Sequence, residues 1–164
     1  MAIFVGDMRD DKTRKILFIC HGNICRSPMA EFILKALVEA HGVADRYHIE
    51  SAAVSDEETG NPIYPPAKRC LTQHGVRFDP GKKARKVTAA DYARFDRLIC
   101  MDSGNLRLLR NIIPSDPEGK VHLMMSYTGR SRDVADPWYT GDFERTFQDI
   151  LAACEAMLNP ACLL

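Results

Sequence analysis

The stretch from Ile16 to Leu34 restricts what this chain can fold into more than any other. Ile16 to Ile19 form an unbroken apolar run, the pattern of a strand buried on both faces. Cys20 to Arg26 follow as a short loop containing Gly22 and Asn23, the residue types most tolerant of left-handed backbone. Ser27-Pro28 then predicts a helix start, serine being a good N-cap and proline being pre-set for the first helical position. Met29, Phe32, Ile33, Ala36, Leu37 and Ala40 recur at helical spacing, and Gly42 offers the stop.

A strand, a tight loop and a helix N-terminus make an anion site from backbone alone, because unpaired amides and the helix dipole meet at one point. This loop also carries a thiol at its first position, Cys20, and a guanidinium at its last, Arg26. Amide dipoles and an adjacent arginine favour the thiolate over the thiol. The planar fork of Arg26 suits two oxygens of a phosphate-like dianion. A thiolate and a phosphate cradle at one point imply nucleophilic attack on phosphorus. The competing reading is a buried structural cysteine beside a surface arginine. It requires strand, loop and helix signals to agree by accident.

The 164 residues suffice for one domain with a proper core. Lys plus Arg and Asp plus Glu each number 22, so net charge argues for neither nucleic acid nor an acidic membrane surface, and anion affinity must be local. The six cysteines are irregularly spaced, and two stand in a loop that needs a free thiolate, which favours a reducing cytoplasm over a disulfide framework. Export by a signal-peptide-independent route is left open. No apolar stretch reaches membrane length. Residues 1–14 read as a polar leader, expected to be mobile and without the basic start or cleavage site of a signal peptide. Residues 15–164 read as a single domain.

Strand and helix signals alternate along that domain, predicting a parallel sheet with helices on both faces. Tyr47–Ala53 reads as the second strand, and Asn61-Pro62 as the start of a helix reaching His74-Gly75. Thr88 and Asp91 resemble a capping box for a short helix. A third strand ends in Leu98–Met101, Asp102-Ser103 caps the next helix, and Val121–Met125 is the fourth strand. The last helix starts near Asp142 and ends at Asn159-Pro160. Four such strands predict a flavodoxin-like, doubly wound α/β fold, whose ligands sit at the carboxyl ends of strands near a topological switch. The Cys20 loop follows the first strand, where such a site belongs.

Cys20-His21-Gly22-Asn23-Ile24-Cys25-Arg26-Ser27-Pro28 resembles the phosphate loop of low-molecular-weight protein tyrosine phosphatases. A bare Cys-x5-Arg pattern is weak, but the inner Gly-Asn-Ile-Cys and the trailing Ser-Pro make it specific. Ser51–Asp56, Ala84–Thr88, Cys100-Met101-Asp102 and Asp136-Pro137-Trp138-Tyr139 look like family landmarks in the right order. The resemblance runs from about Lys15 to the last helix.

The resemblance implies a nucleophile at Cys20, phosphate bound by Arg26 and the loop His21, Gly22, Asn23, Ile24 and Cys25 with Ser27, and a general acid then base at Asp136. Read alone, Asp136-Pro137 is equally well a turn. Ser27 has two candidate tasks, capping the helix and donating a hydrogen bond to the Cys20 thiolate. Family members hold the loop asparagine with a serine and a histidine. Ser51 matches the serine, whereas Lys82, after what looks like a short insertion at Asp79-Pro80, stands where animal enzymes have histidine. Cys25 matches a cysteine that can form a protective disulfide with the nucleophile. Glu57 and Glu58 lie on a loop that carries a pocket tryptophan in animal relatives. With Trp138, where the family usually has tyrosine, and Tyr139, Glu57 is expected to line the substrate pocket.

Several alternatives remain at this point. Arginine phosphatases of the same fold tend to carry threonine where Ile24 stands, and arsenate reductases need a further resolving cysteine pair that Cys70 and Cys100 do not supply. A catalytically inactive phosphate-binding module or, by fold analogy alone, a flavin carrier are others. Cys20-His21 and Cys25 lack a second Cys or His pair at zinc-like spacing, so no metal is named, and no cofactor is expected. The expected partners are tyrosine-phosphorylated proteins, with a monomer or weak self-association through surface aromatics such as Tyr139.

Overall fold

The computed structural model describes residues 13–159. Strand β1 spans Arg14–Cys20 and leads through the five-residue loop 21–25 into helix α1, Arg26–Ala40. Strand β2 is Tyr47–Ala53, helix α2 Pro65–Gln73, helix α3 Asp91–Arg94 and strand β3 Arg97–Cys100. Helix α4 (Ser103–Leu109), strand β4 (Val121–Leu123), helix α5 (Pro137–Thr140) and helix α6 (Phe143–Met157) follow. The strands are all parallel in the order β2-β1-β3-β4. The connection reverses direction beside β1, so the loop after β1 opens at the switch point of a doubly wound sheet, as predicted.

Period-two alternation in β1 divides the core. Ile16, Phe18 and Cys20 join the larger cluster, which includes Met29 and Ile33 of α1 and Phe147, Ile150 and Cys154 of α6. Leu17 and Ile19 face the other layer, with Phe95, Leu98 and Leu109. β1 is thus covered on both faces up to the residue from which the loop departs.

The structure moves several predicted boundaries. β1 begins at Arg14, one residue inside the expected leader, and residues 1–12 of that leader lie outside the described residues, as does Pro160. Helix α1 starts at Arg26 with Cys25 at its cap position, so Ser27 is not the N-cap and its hydroxyl is directed elsewhere. Helix α2 starts at Pro65 rather than Pro62. Tyr64, ahead of two prolines, is held extended at φ −59° and ψ 134°, and Pro62 pairs with Lys83 in an isolated antiparallel bridge. The Thr88–Asp91 motif is half a capping box. Asp91 accepts from the Thr88 amide at 2.8 Å, but Ala90 precedes the helix. β4 gives way to a 3-10 turn at Met124. Asp102 caps α4 as expected, in a reciprocal box with Asn105. Gly42 closes α1 at φ 72°.

Candidate active site

The loop from Cys20 to Arg26 is shaped by Asn23, the only non-glycine with positive φ among the described residues (61°). Gly22 does not take that conformation. Its role is close approach, since a Cβ there would meet Glu58 Cγ at 3.2 Å. The loop carbonyls are turned outward. Those of Cys20, His21 and Ile24 accept from the amides of Val54 (3.0 Å), Ser55 (3.1 Å) and Tyr64 (2.9 Å). The Asn23 amide points inward and donates to Cys20 Sγ at 3.3 Å.

Beneath the loop lies a buried hydrogen-bond network. Asn23 Nδ2 donates to Ser27 Oγ at 2.7 Å and to Ser51 Oγ at 2.9 Å, and Ser51 Oγ donates to Glu31 Oε1 at 2.6 Å. Ser27 Oγ is 3.0 Å from Cys20 Sγ. Of the two tasks considered for Ser27, the structure therefore shows the one at the thiol. Ser27 is fully buried behind that thiol, not exposed at a phosphate position.

Lys82, at the position where the resemblance implies a histidine, joins this network. Its Nζ donates to Asn23 Oδ1 at 3.3 Å and to the Ser51 carbonyl at 3.0 Å, with Glu31 3.7 Å away. Burial pulls the Lys82 pKa below its ordinary value, helped by Arg85 and Lys35 and opposed by Glu31. The Arg85 amide completes the hold on Asn23 Oδ1 at 3.2 Å.

Arg26 is buried and pre-oriented. Nη1 donates to Asp102 Oδ2 at 2.7 Å and to the Val134 carbonyl at 2.8 Å, while Nη2 reaches Asp136 Oδ2 at 3.4 Å. Burial alone would lower its pKa, but Cys20, Asp136 and Asp102 outweigh that cost and keep the guanidinium firmly charged. Asp136 is the N-cap of α5, accepting from the Trp138 amide at 3.0 Å. What sequence reads as a bare turn is thus a capped helical turn. Burial, then the negative charge of Cys20, Asp136 and Glu58, pushes the Cys25 thiol well above its ordinary range.

These residues converge on a cleft of about 410 Å³ lined by Cys20, Arg26 and Asp136, by His21, Gly22, Ile24 and Cys25 of the loop, and by Glu57, Glu58, Trp138 and Tyr139 at its rim. His21 Nε2 stands 3.1 Å from Glu57 Oε2. Every anticipated site residue is therefore in or beneath one cleft, with Asn23, Ser27 and Ser51 as its support. Asp102 was read from sequence only as a helix cap, and the Val134 carbonyl, Arg85 and Tyr64 were assigned no role in the site. Tyr64 packs against Trp138 with ring centroids 4.9 Å apart and planes tilted by 50°, extending the aromatic wall. The Asp102 cap motif was readable, but the second bond it gives Arg26 is purely tertiary. A sulfur nucleophile, a fixed guanidinium and a carboxylate facing one cleft are the parts needed to transfer a phosphoryl group from oxygen to sulfur.

The comparisons with known proteins agree with this geometry. Residues 15–162 match the family model described as low molecular weight phosphotyrosine protein phosphatase. The phosphatase of that name from Sus scrofa is 38% identical over 157 residues, covering 93% of this chain and 98% of that protein. The crystal structure of YfkJ from Bacillus subtilis superposes with a TM-score of 0.85 at 36% identity, covering 90% of this chain and 93% of that one. A drosophila arginine phosphatase superposes at 0.79 with 34% identity, covering 88% and 95%. The matched span holds the strand, loop, helix and acid-bearing turn just described, and the chain belongs to the low molecular weight phosphotyrosine protein phosphatase family.

Proposed function

We propose that this enzyme hydrolyses phosphotyrosine in proteins through a phosphocysteine intermediate on Cys20. The observation that carries the reading is the thiol of Cys20 in one cleft with the Arg26 guanidinium and the Asp136 carboxylate, 3.0 Å from Ser27 Oγ. Cys20 Sγ attacks phosphorus, the S–P bond forms and the P–O bond to the phenol breaks. Asp136 gives its proton to the departing oxygen. Arg26 and the loop amides of His21 to Arg26 hold the equatorial oxygens as charge develops. Asp136 then takes a proton from water, which displaces the thiolate and releases phosphate. Ser27 donates a hydrogen bond from its hydroxyl to that leaving thiolate, and Asn23 and Ser51 keep the hydroxyl aimed.

The aromatic wall of Trp138, Tyr139 and Tyr64 supports an aryl ester over an alkyl one. Ile24 in the lining favours phosphotyrosine over phosphoarginine, the substrate class implied by one structural neighbour's name. Glu57 and Glu58 at the rim disfavour acidic flanking residues in the substrate. Cys25 is the resolving thiol when peroxide oxidises Cys20. The sulfenic acid condenses with the Cys25 thiol, forming the S–S bond and releasing water. A reducing cytoplasm is the proposed location, consistent with five free cysteines among the described residues. Among the described residues no helix is long and apolar enough to cross a membrane. The proposed working state is a monomer or a weakly self-associating one.

The deciding experiment is hydrolysis of p-nitrophenyl phosphate with EDTA present, comparing wild type with Cys20→Ser. Activity that survives EDTA and is lost in the variant supports the thiolate route. Activity retained in Cys20→Ser removes Cys20 as nucleophile.

A further inference from the structure

Away from the cleft, the end of α2 meets the start of α6. Cys70 and His74 stand one helical turn apart at the close of α2, and Glu144 lies in the first turn of α6. One donor atom from each of the three lies within 4.8 Å of both others. A His74 nitrogen, Nε2, sits 2.7 Å from Glu144 Oε1. The imidazole lies flat on Phe147, with centroids 3.8 Å apart and planes 9° from parallel, which fixes its orientation. Cys70 is buried with its thiol 3.6 Å from the Phe143 carbonyl, and phosphoryl transfer makes no use of it.

Thiolate, imidazole and carboxylate are the donor types that zinc takes, at bond lengths of about 2.0–2.3 Å. Tetrahedral bonds of that length hold ligand atoms about 3.3–3.7 Å apart. The His74–Glu144 contact is shorter than this and all three donor atoms lie within 4.8 Å of one another, a spread that side-chain rotation can close around one centre. The carbonyl end of α2 favours a cation there, and the carboxylate of Glu144 offsets the opposing dipole of α6.

We propose that Cys70, His74 and Glu144 form a three-ligand site for Zn²⁺, with water completing the tetrahedron. Binding forms the Zn–S bond, breaks the S–H bond of Cys70 and releases that proton to solvent. The ion ties α2 to α6. Tyr64 immediately precedes α2 and packs against Trp138, and α6 begins three residues beyond α5. A bound ion therefore braces the aromatic wall and the acid-bearing turn without entering the cleft.

The test uses full-length Cys20→Ser protein, so that the cleft thiolate cannot compete for metal, titrated with Co²⁺ and then Zn²⁺. The expected result is a thiolate-to-cobalt charge-transfer band that saturates at one equivalent, is displaced by Zn²⁺, and disappears when Cys70→Ser is added. His74→Gln and Glu144→Gln, both at exposed positions, are each expected to weaken Co²⁺ binding by about tenfold or more. They decide the matter if the Cys70 variant does not fold. A protein with no such band overturns the site, as does a band indifferent to both exposed substitutions.

Discussion

The floor and the rim of the cleft are built on opposite principles. On the floor, Asn23, Arg26, Ser27 and Ser51 are each at most 2% exposed, and every side chain has two or more polar partners. At the rim, Trp138 is 53% and Tyr139 85% exposed, and Glu57 meets the half-exposed His21 imidazole at 3.1 Å. A buried polar network holds its geometry because leaving any member unpaired costs about 1–3 kcal/mol. Exposed groups change at little thermodynamic cost, usually within about 0.5 kcal/mol. In the proposed mechanism the floor therefore fixes the reaction, and the rim is free to fix the substrate.

The sharpest break in that division is at Asp136, which belongs to both regions. Asp136→Ala should slow hydrolysis of phenyl phosphate by about 10²–10⁴-fold, and slow p-nitrophenyl phosphate, with its better leaving group, far less. Equal slowing of the two esters would take Asp136 out of the acid role. Asn23 tests the floor alone. Asn23→Gly retains the left-handed turn but loses the side-chain bonds, and should lower kcat about tenfold, a loss of ~1.4 kcal/mol in transition-state stabilisation. Asn23→Ala should lose a further 1–3 kcal/mol, approximately, in stability from backbone strain. Melting curves that coincide for the two variants would mean that φ is unimportant at that position.

Asp91 tests the floor from behind. It is buried and takes two bonds from Arg85 (3.0 and 3.2 Å), whose amide grips Asn23. Burial would raise the Asp91 pKa, but hydrogen bonds from Arg85 and Thr88 and the charge of Arg94 lower it overall. Its contribution is therefore present above the unfolded carboxylate pKa of about 3.9 and is lost as pH falls through the folded value. Asp91→Asn should cost about 2 kcal/mol in urea unfolding at pH 7. The gap to wild type should narrow below about pH 4, and a gap constant down to pH 2 would refute the charge argument.

The smallest effect belongs to the rim. Glu57→Gln with Glu58→Gln should lower KM for phosphopeptides with acidic flanks by about two- to fivefold, with melting temperature and p-nitrophenyl phosphate turnover unchanged. An equal change with basic flanks would remove charge as the cause.

How far these regions were legible in sequence follows the same line. β1, the loop and α1 are consecutive, so local periodicity and the run Cys20–Pro28 exposed them with no tertiary knowledge. Asn23 was readable as the left-handed residue because few side chains tolerate that backbone. Ser27 was misassigned as a cap because serine before proline carries the same local signal whether its hydroxyl turns to the helix end or to a thiol. Only the position of Cys20 Sγ decides. The start of α2 was misplaced because Pro62 and Pro65 are equally good first-turn residues, and pairing of Pro62 with Lys83 chooses between them. Tyr64, Asp102 and the Val134 carbonyl act across long sequence separations, to which periodicity is blind. Cys70 and His74 do stand at helical spacing, but Glu144, 70 residues after His74, gives that spacing its meaning.

The carboxylate of Asp136 is divided between two duties. One oxygen receives the Trp138 amide and starts α5, while the other faces Arg26. A carboxylate accepts a capping bond better than a carboxylic acid does. In the proposed mechanism, loading the proton should therefore loosen the turn that presents Trp138 and Tyr139, and delivering it should tighten that turn. The rim should then move in step with turnover, and indole fluorescence from the single tryptophan would report proton delivery.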